Sequence, residues 1–289
     1  MMTYRSLQDL VPATHTTEGD GVRIRRAFPN ARMEDLDPFL LFDHLGPLEF
    51  APGGSLGFPE HPHRGFETIS YLLQGSLQHK DSFGHAGLLG PGDVQWMTAG
   101  SGLVHSEMPG PDLAQNGGIV EGFQIWVNLP KQSKMVPPRY QELKAAEIPK
   151  AVSDDKLVES SVVAGESYGV KGAVQTHSPI LYLHLKLKPG ATVEQSVPSS
   201  QNAMAYVVRG QIEVAGRRAP EGSLAIFNHD ADSVRMGNTG VEDAEVLLLA
   251  GEPLHEPVAR YGPFVMNSRE ELVEAFEDYR SGKMGVIAG

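Results

Sequence analysis

Hydrophobic positions in this chain come in short runs broken by glycine and proline, without the long 3.6-residue stripes of a helical protein. Phe39 to His44 is one such run, followed by glycine- and proline-rich loops through Pro59. Glu67 to Leu73 predicts a strand ended by Gln74-Gly75, and Ser76 to Lys80 continues it as a hairpin. Gly87 to Gly90, a turn at Pro91-Gly92-Asp93 and a strand from Val94 to Thr98 come next, before a bend at Gly100 and Gly102. The bend glycines are expected to supply positive φ just ahead of another strand. Phe123 to Leu129 alternates and predicts a half-buried strand, while the polar, proline-bearing stretch from Lys131 to Pro138 reads as a linker. Two helices are expected. One starts at the capping box of Ser268 and Glu271, carries Leu272, Val273, Phe276 and Tyr279 at helical spacing, and closes at Gly282. The other is a short helix from Gln141 to Ile148.

The second half repeats the grammar of the first. Tyr206-Val-Val-Arg-Gly210 echoes Tyr71-Leu-Leu-Gln-Gly75, and Glu221-Gly-Ser223 echoes Pro91-Gly-Asp93, each turn leading into an apolar strand. Two copies of one β-barrel or sandwich module are therefore expected. Aligning the tyrosines places His61 and His63 opposite Ser196 and Pro198; aligning the turn glycines places His105 and Glu107 opposite Arg235 and Gly237. None of these counterparts is a good metal ligand, so the second copy is expected to keep the fold without the site.

That site is the chemical content of the first half. His61 and His63, then His105 and Glu107, form two pairs at i, i+2 spacing, which puts both members of a pair on one face of an extended segment. Three imidazoles and a carboxylate make a ligand set for a divalent transition metal: iron, nickel, copper, manganese, cobalt or zinc. The chain has no cysteine, which excludes thiolate sites, disulfides and cysteine nucleophiles, so nitrogen and oxygen must hold any metal. Four protein ligands leave one or two coordination positions open, and a closed structural zinc site would favour cysteine; the set reads as catalytic. His44, His79 and His85 are expected on loops or the surface. Trp96 and Trp126 are expected as core packing.

His61-Pro-His-Arg-Gly-Phe-Glu-Thr-Ile-Ser-Tyr71 with Gly75, Gly92 through Glu107, and Gly251 through Asn267 resemble the motifs of the pirin family, within the cupin superfamily. The likeness runs over nearly the whole chain and is thinnest from Lys131 to Gly172. It implies an all-β bicupin: two face-to-face, jelly-roll-like β-barrels with a short C-terminal helix, divided as residues 1–134 and 135–289. By motif, His61, His63, His105 and Glu107 are the ligands of a single metal in the N-terminal barrel, and iron is the implied ion. Cupins often use the first-motif glutamate, here Glu67, as a ligand. A fifth protein donor would crowd out substrate, so Glu67 is expected just outside the ligand set, orienting an imidazole.

The resemblance also implies an activity, the quercetin 2,3-dioxygenase reaction, in which a flavonol or another planar enolisable substrate is cleaved with O2. Glu107 would then act as general base toward the substrate hydroxyl. The alternative is a non-enzymatic, metal- and redox-sensing regulator that binds a transcription factor or metabolic enzyme. The net charge of −12 argues against direct nucleic-acid binding. The absence of an apolar run near the roughly 20 residues that span a bilayer argues against a membrane helix. The start has no apolar h-region and is not expected to be a signal peptide, and the lack of cysteine makes the cytoplasm the expected compartment.

Overall fold

The computed structural model, which describes residues 3–54 and 57–287, is built mainly of antiparallel strands. Its contacts divide it into two compact units that are interleaved along the chain. The first unit comprises His15–Pro29, Phe39–Ala145 and Leu254–Gly289; the second comprises Met1–Thr14, Asn30–Pro38 and Ala146–Pro253. A single cut between residues 134 and 135, the division expected from sequence, therefore differs from the contacts in a specific way: each unit takes a terminal segment from the far end of the chain. Strand pairing is the cause at the N-terminus, where Leu7–Pro12 pairs with Ser223–Phe227.

Each unit contains a seven-stranded and a four-stranded sheet, and their strand orders correspond. In the first unit the large sheet runs Arg139–Leu143, Val94–Thr98, Phe66–Gln74, Gly118–Asn128, Phe39–Phe50, Val22–Phe28, Thr14–Glu18. Its small sheet runs Phe58–His63, Leu103–Pro109, Leu77–Asp81, Ala86–Leu89. In the second unit the large sheet runs Leu7–Pro12, Ser223–Phe227, Asn202–Arg209, Ala244–Gly251, Ile180–Leu187, Val158–Ala164, Lys150–Val152. The small sheet there runs Thr192–Ser196, Ser233–Gly237, Gln211–Val214, Arg217–Pro220. This is the cupin-type two-domain fold, and the repeat glimpsed in the sequence is complete at the level of topology. One asymmetry remains: the edge strand of the first unit, Arg139–Leu143, comes after the strand it pairs with, whereas the equivalent edge of the second, Leu7–Pro12, comes far before its partner.

The cores differ. In the second unit one aliphatic cluster takes Leu183, Val207 and Leu248 from the large sheet and Val193, Ile212, Val234 and Met236 from the small one. In the first unit several smaller clusters of buried hydrophobics stand apart from one another, and polar side chains occupy part of the space between the sheets. His63, His79, Asp81, Gln95, His105 and Glu107 are all buried there.

The helix Arg269–Arg280 carries the full capping box, with Ser268 Oγ accepting from the Glu271 N–H and Glu271 Oε2 accepting from the Ser268 N–H, both at 3.2 Å. The shorter helix expected from Gln141 does not form. Gln141 to Leu143 complete the edge strand Arg139–Leu143, paired with Val94–Thr98, because an open sheet edge satisfies more backbone groups than one isolated turn of helix would. Among the described residues no helix is long and apolar enough to cross a membrane.

Candidate metal centre

The strands Phe58–His63 and Leu103–Pro109 are hydrogen-bonded neighbours, with His61 directly opposite His105 and His63 opposite Leu103. Gly100 and Gly102 turn the chain into the second of these strands at φ +51° and +115°, in the left-handed region expected of them. A Cβ at Gly100 would collide with the Val136 carbonyl oxygen, so the approach requires glycine there for space as well.

One ring nitrogen from each of His61, His63 and His105 lies within 4.8 Å of the others. The ring centroids are 4.4 Å apart for His61 and His105, 4.7 Å for His61 and His63, and 5.0 Å for His63 and His105. Two of the rings are oriented from behind. The Nδ1–H of His61 donates to the Pro59 carbonyl at 2.7 Å, and that of His63 to the Pro263 carbonyl at 3.4 Å, which leaves each Nε2 lone pair facing the shared space. Burial holds His63 and His105 well below the ordinary imidazole range, and the neighbouring imidazoles push the same way. Both rings are therefore neutral at pH 7, the form that ligates a metal.

His105 supplies the test of fit. It is buried, and neither of its ring nitrogens has a hydrogen-bond partner. An unsatisfied buried imidazole costs free energy unless something takes its lone pair. A divalent cation shared with His61 and His63 would do so, and the donor set fits one.

Glu107 does not join the three imidazoles within 4.8 Å. It shares a strand face with His105, but the ladder to Phe58–His63 shifts register between the two. Its carboxylate instead accepts from Ser70 Oγ and Gln124 Nε2, each at 2.8 Å. Ser70 and Gln124 are directly opposed across their own ladder. Each is one of several polar residues in its strand, so nothing local in the sequence singles it out. Beside Glu107 is a cavity of about 10 Å³, lined by Leu45, Phe58, Tyr71 and Phe123 among others, with room for about one water.

Glu67 is buried and accepts from Thr98 Oγ1 at 2.7 Å; burial raises its carboxyl above the usual range. Its hydroxyl partner lies on the neighbouring strand, and both stand on the face of the sheet opposite to Ser70, so the expected role of orienting an imidazole is not what this hydrogen bond shows. Trp96 is fully buried, as expected, while Trp126 also packs its ring edgewise 5.3 Å from His63.

His44 and His79 correct the sequence reading, for both are buried strand residues. His44 meets Glu121 at 3.1 Å, and His79 meets Glu142 at 2.5 Å while stacking on Tyr140. A carboxylate partner makes an inward histidine tolerable, and a single sequence does not reveal that partner. His85 is exposed and pairs with Asp81 at 2.9 Å.

In the second unit, Met236 pairs with Val193 on one side and Val214 on the other, as His105 pairs with His61 and Asp81. By that register Val193, Gln195, Met236 and Asn238 occupy the places of His61, His63, His105 and Glu107. Ser196 and Arg235, the counterparts found by sequence alignment, point to solvent. At the corrected positions stand a valine, a thioether and two amides, with no imidazole or carboxylate among them.

Comparison with known proteins agrees with this architecture. The family model "Pirin" matches residues 21–127, and the "Pirin C-terminal cupin domain" model matches residues 182–285. Pirin of Homo sapiens is 44% identical over 274 residues, covering 93% of this chain and 90% of its own. A solved structure named quercetin 2,3-dioxygenase, from Acinetobacter baumannii, superposes with a TM-score of 0.92 at 37% identity, covering 99% of this chain and 100% of that one. A bacterial pirin of Escherichia coli, solved in complex with nickel(II), shares the fold at a TM-score of 0.66 and 21% identity, covering 88% and 100%. With two matching cupin units and close likeness along nearly its full length, this chain belongs to the pirin family.

Proposed function

We propose that this protein is a metal-dependent dioxygenase of the quercetin 2,3-dioxygenase type, which cleaves a flavonol or another planar enolisable substrate with O2. One divalent transition metal, iron by preference, would be held by His61, His63 and His105; Glu107, expected from the motif as a fourth ligand, would join them only by turning its carboxylate away from Ser70 and Gln124, and acts as the base in the orientation it has. The observation that carries the reading is the convergence of three imidazoles around a buried His105 whose nitrogens have no protein partner. The name of the A. baumannii neighbour supports the reaction class, and nickel in the E. coli complex shows which other ion a relative accepts.

The metal, when bound, supplies a Lewis acid and a redox couple. The remaining work falls to this chain. The Pro59 and Pro263 carbonyls fix the imidazole tautomers. Glu107 accepts the proton of the substrate hydroxyl, and Ser70 and Gln124 hold its carboxylate in place for that transfer. The apolar lining near Glu107 excludes bulk water. A flavonol is far larger than that cavity, so substrate approaches from the side of His61, the most exposed of the three imidazoles.

The test is metal analysis of protein purified without added metal, followed by anaerobic binding of quercetin and admission of oxygen. Metal-dependent binding and oxygen-dependent loss of the flavonol absorbance are expected. Loaded protein that binds no enolate and takes up no oxygen would overturn the enzymatic reading and leave ahead the metal-dependent regulator that engages a protein partner.

A further inference from the structure

Lys134 lies in the stretch whose composition reads as a linker, yet it is 1% exposed, the only buried lysine among the described residues. Its three ammonium protons are all used. Nζ donates to the Gly65 carbonyl at 2.8 Å, to Asn128 Oδ1 at 2.6 Å and to the Val265 carbonyl at 2.9 Å. These acceptors come from three segments far apart in sequence: the turn just after His63, the end of the strand Gly118–Asn128, and the C-terminal part of the first unit. No carboxylate is among them, so the charge is met by dipoles alone. Burial accordingly pulls the ammonium pKa down to about 8.

A buried ammonium is expensive and is kept where nothing else holds the same geometry. Its neighbours show what that geometry is. Gly65 is at φ +88°, and a Cβ there would collide with the Val265 carbonyl oxygen, so Lys134 gathers two backbones in direct contact. The Val265 N–H donates to the Arg64 carbonyl at 3.1 Å, and the Gly65 N–H to the Gly100 carbonyl at 2.8 Å. Two residues beyond Lys134, the Val136 carbonyl accepts from the Ser101 N–H at 2.8 Å. Residues 134–136 therefore tie the turn that follows His61 and His63 to the bend that precedes His105. Through Val265 they also set the segment whose Pro263 carbonyl orients the His63 ring.

We infer that Lys134 is a positioning residue for the metal centre, fixing the spacing between the His61–His63 pair and His105 by clamping Gly65, Asn128 and Val265 around one ammonium. This rests on the reading of those three imidazoles as the ligand set, and the experiment separates the two. Cobalt(II) is the probe, with affinity taken from chelator competition and ligand geometry from the visible d–d absorption of the loaded full-length chain. Wild type is expected to bind Co(II) in a manner abolished by His105→Ala. Lys134→Met, of similar length without donors, is expected to weaken Co(II) about 10-fold or more, the effect of losing a supporting contact behind a ligand, and to alter the d–d band. Asn128→Ala, which removes one of the three acceptors, should do the same to a smaller degree, and it decides the matter if Lys134→Met does not fold.

Unchanged affinity and band shape in the folded variants, beside His105-dependent binding in wild type, would reduce Lys134 to a purely structural role and overturn the inference. Co(II) binding by wild type that His105→Ala leaves intact would instead sink the ligand assignment beneath it.

Discussion

The two units share a strand order and differ in what fills the space between their sheets. Where one turns inward His61, His63, His105 and Glu107, the last three buried, the other has Val193, Gln195, Met236 and Asn238 in the corresponding registers. Between the sheets of the second unit lies one hydrophobic cluster that takes residues from both, whereas between those of the first His63, His79, His105 and Glu107 are buried. The lesson is that the cupin framework does not depend on the chemistry of its interior. Strand pairing and turns hold the scaffold, and the inward positions of two adjacent strands are free to become a site or a plug.

The sharpest way to break the comparison is to copy the plug into the site. His105→Met, the residue of the twin position, should lower metal affinity by at least about 100-fold, since a ligand is lost outright. The metal-free protein should at the same time become more stable by about 1–3 kcal/mol, because two unsatisfied buried nitrogens disappear. Metal analysis and urea melts of the stripped protein check both; undiminished metal content would show that His105 is no ligand.

Lys134, which has no buried lysine counterpart in the second unit among the described residues, gives the next effect. Burial lowers its pKa to about 8 in the folded chain, with Glu256 and Glu271 acting weakly the other way. In the unfolded chain it titrates near the ordinary lysine value of about 10.5. Between those values the unfolded state holds more protons, so the penalty is present in full below pH 8 and is relieved as pH rises. Urea melts of wild type should show a contribution rising toward about 3 kcal/mol across that window, and Lys134→Met should flatten it.

The reciprocal exchange, Met236→His, places an imidazole among Val193, Val214 and Val234, with a cost of about 2 kcal/mol for an unpaired buried polar group. Denaturant midpoints measure it, and no metal should be gained. The smallest effect belongs to Arg235, which pairs with Glu194 at 3.5 Å and lies over the Tyr4 ring in solvent. Arg235→Ala should cost less than about 1 kcal/mol. A core-sized loss there would restore the alignment that put Arg235 opposite His105.

Much of this was legible in the residues. The i, i+2 pairs and the positive-φ glycines marked the site's strands, and period-two geometry needs only local sequence. The twin's inward set was not legible. The connection from Gln195 to Tyr206 is longer than that from His63 to Tyr71 by an odd number of residues, and so is the step from Gly222 to Met236 relative to that from Gly92 to His105. An odd slip moves every side chain to the other face, so alignment on conspicuous residues chose outward positions. Lys134 escaped for a related reason: polar, proline-bearing composition looks the same whether the chain is solvated or knotted into a site. Ser70, Gln124 and the Pro263 carbonyl meet Glu107 and His63 from far away in sequence, and no local pattern announces such contacts.

The strand Leu7–Pro12 has a consequence for how the molecule is made. The edge it completes, Ser223–Phe227, emerges from the ribosome more than two hundred residues after it. The His63 carbonyl contact likewise waits for Pro263. A gene split near residue 145 would therefore yield two incomplete fragments, one with a bare β-edge prone to sticking and the other with a slack cation pocket. Co-expression, rather than either fragment alone, should recover a competent protein.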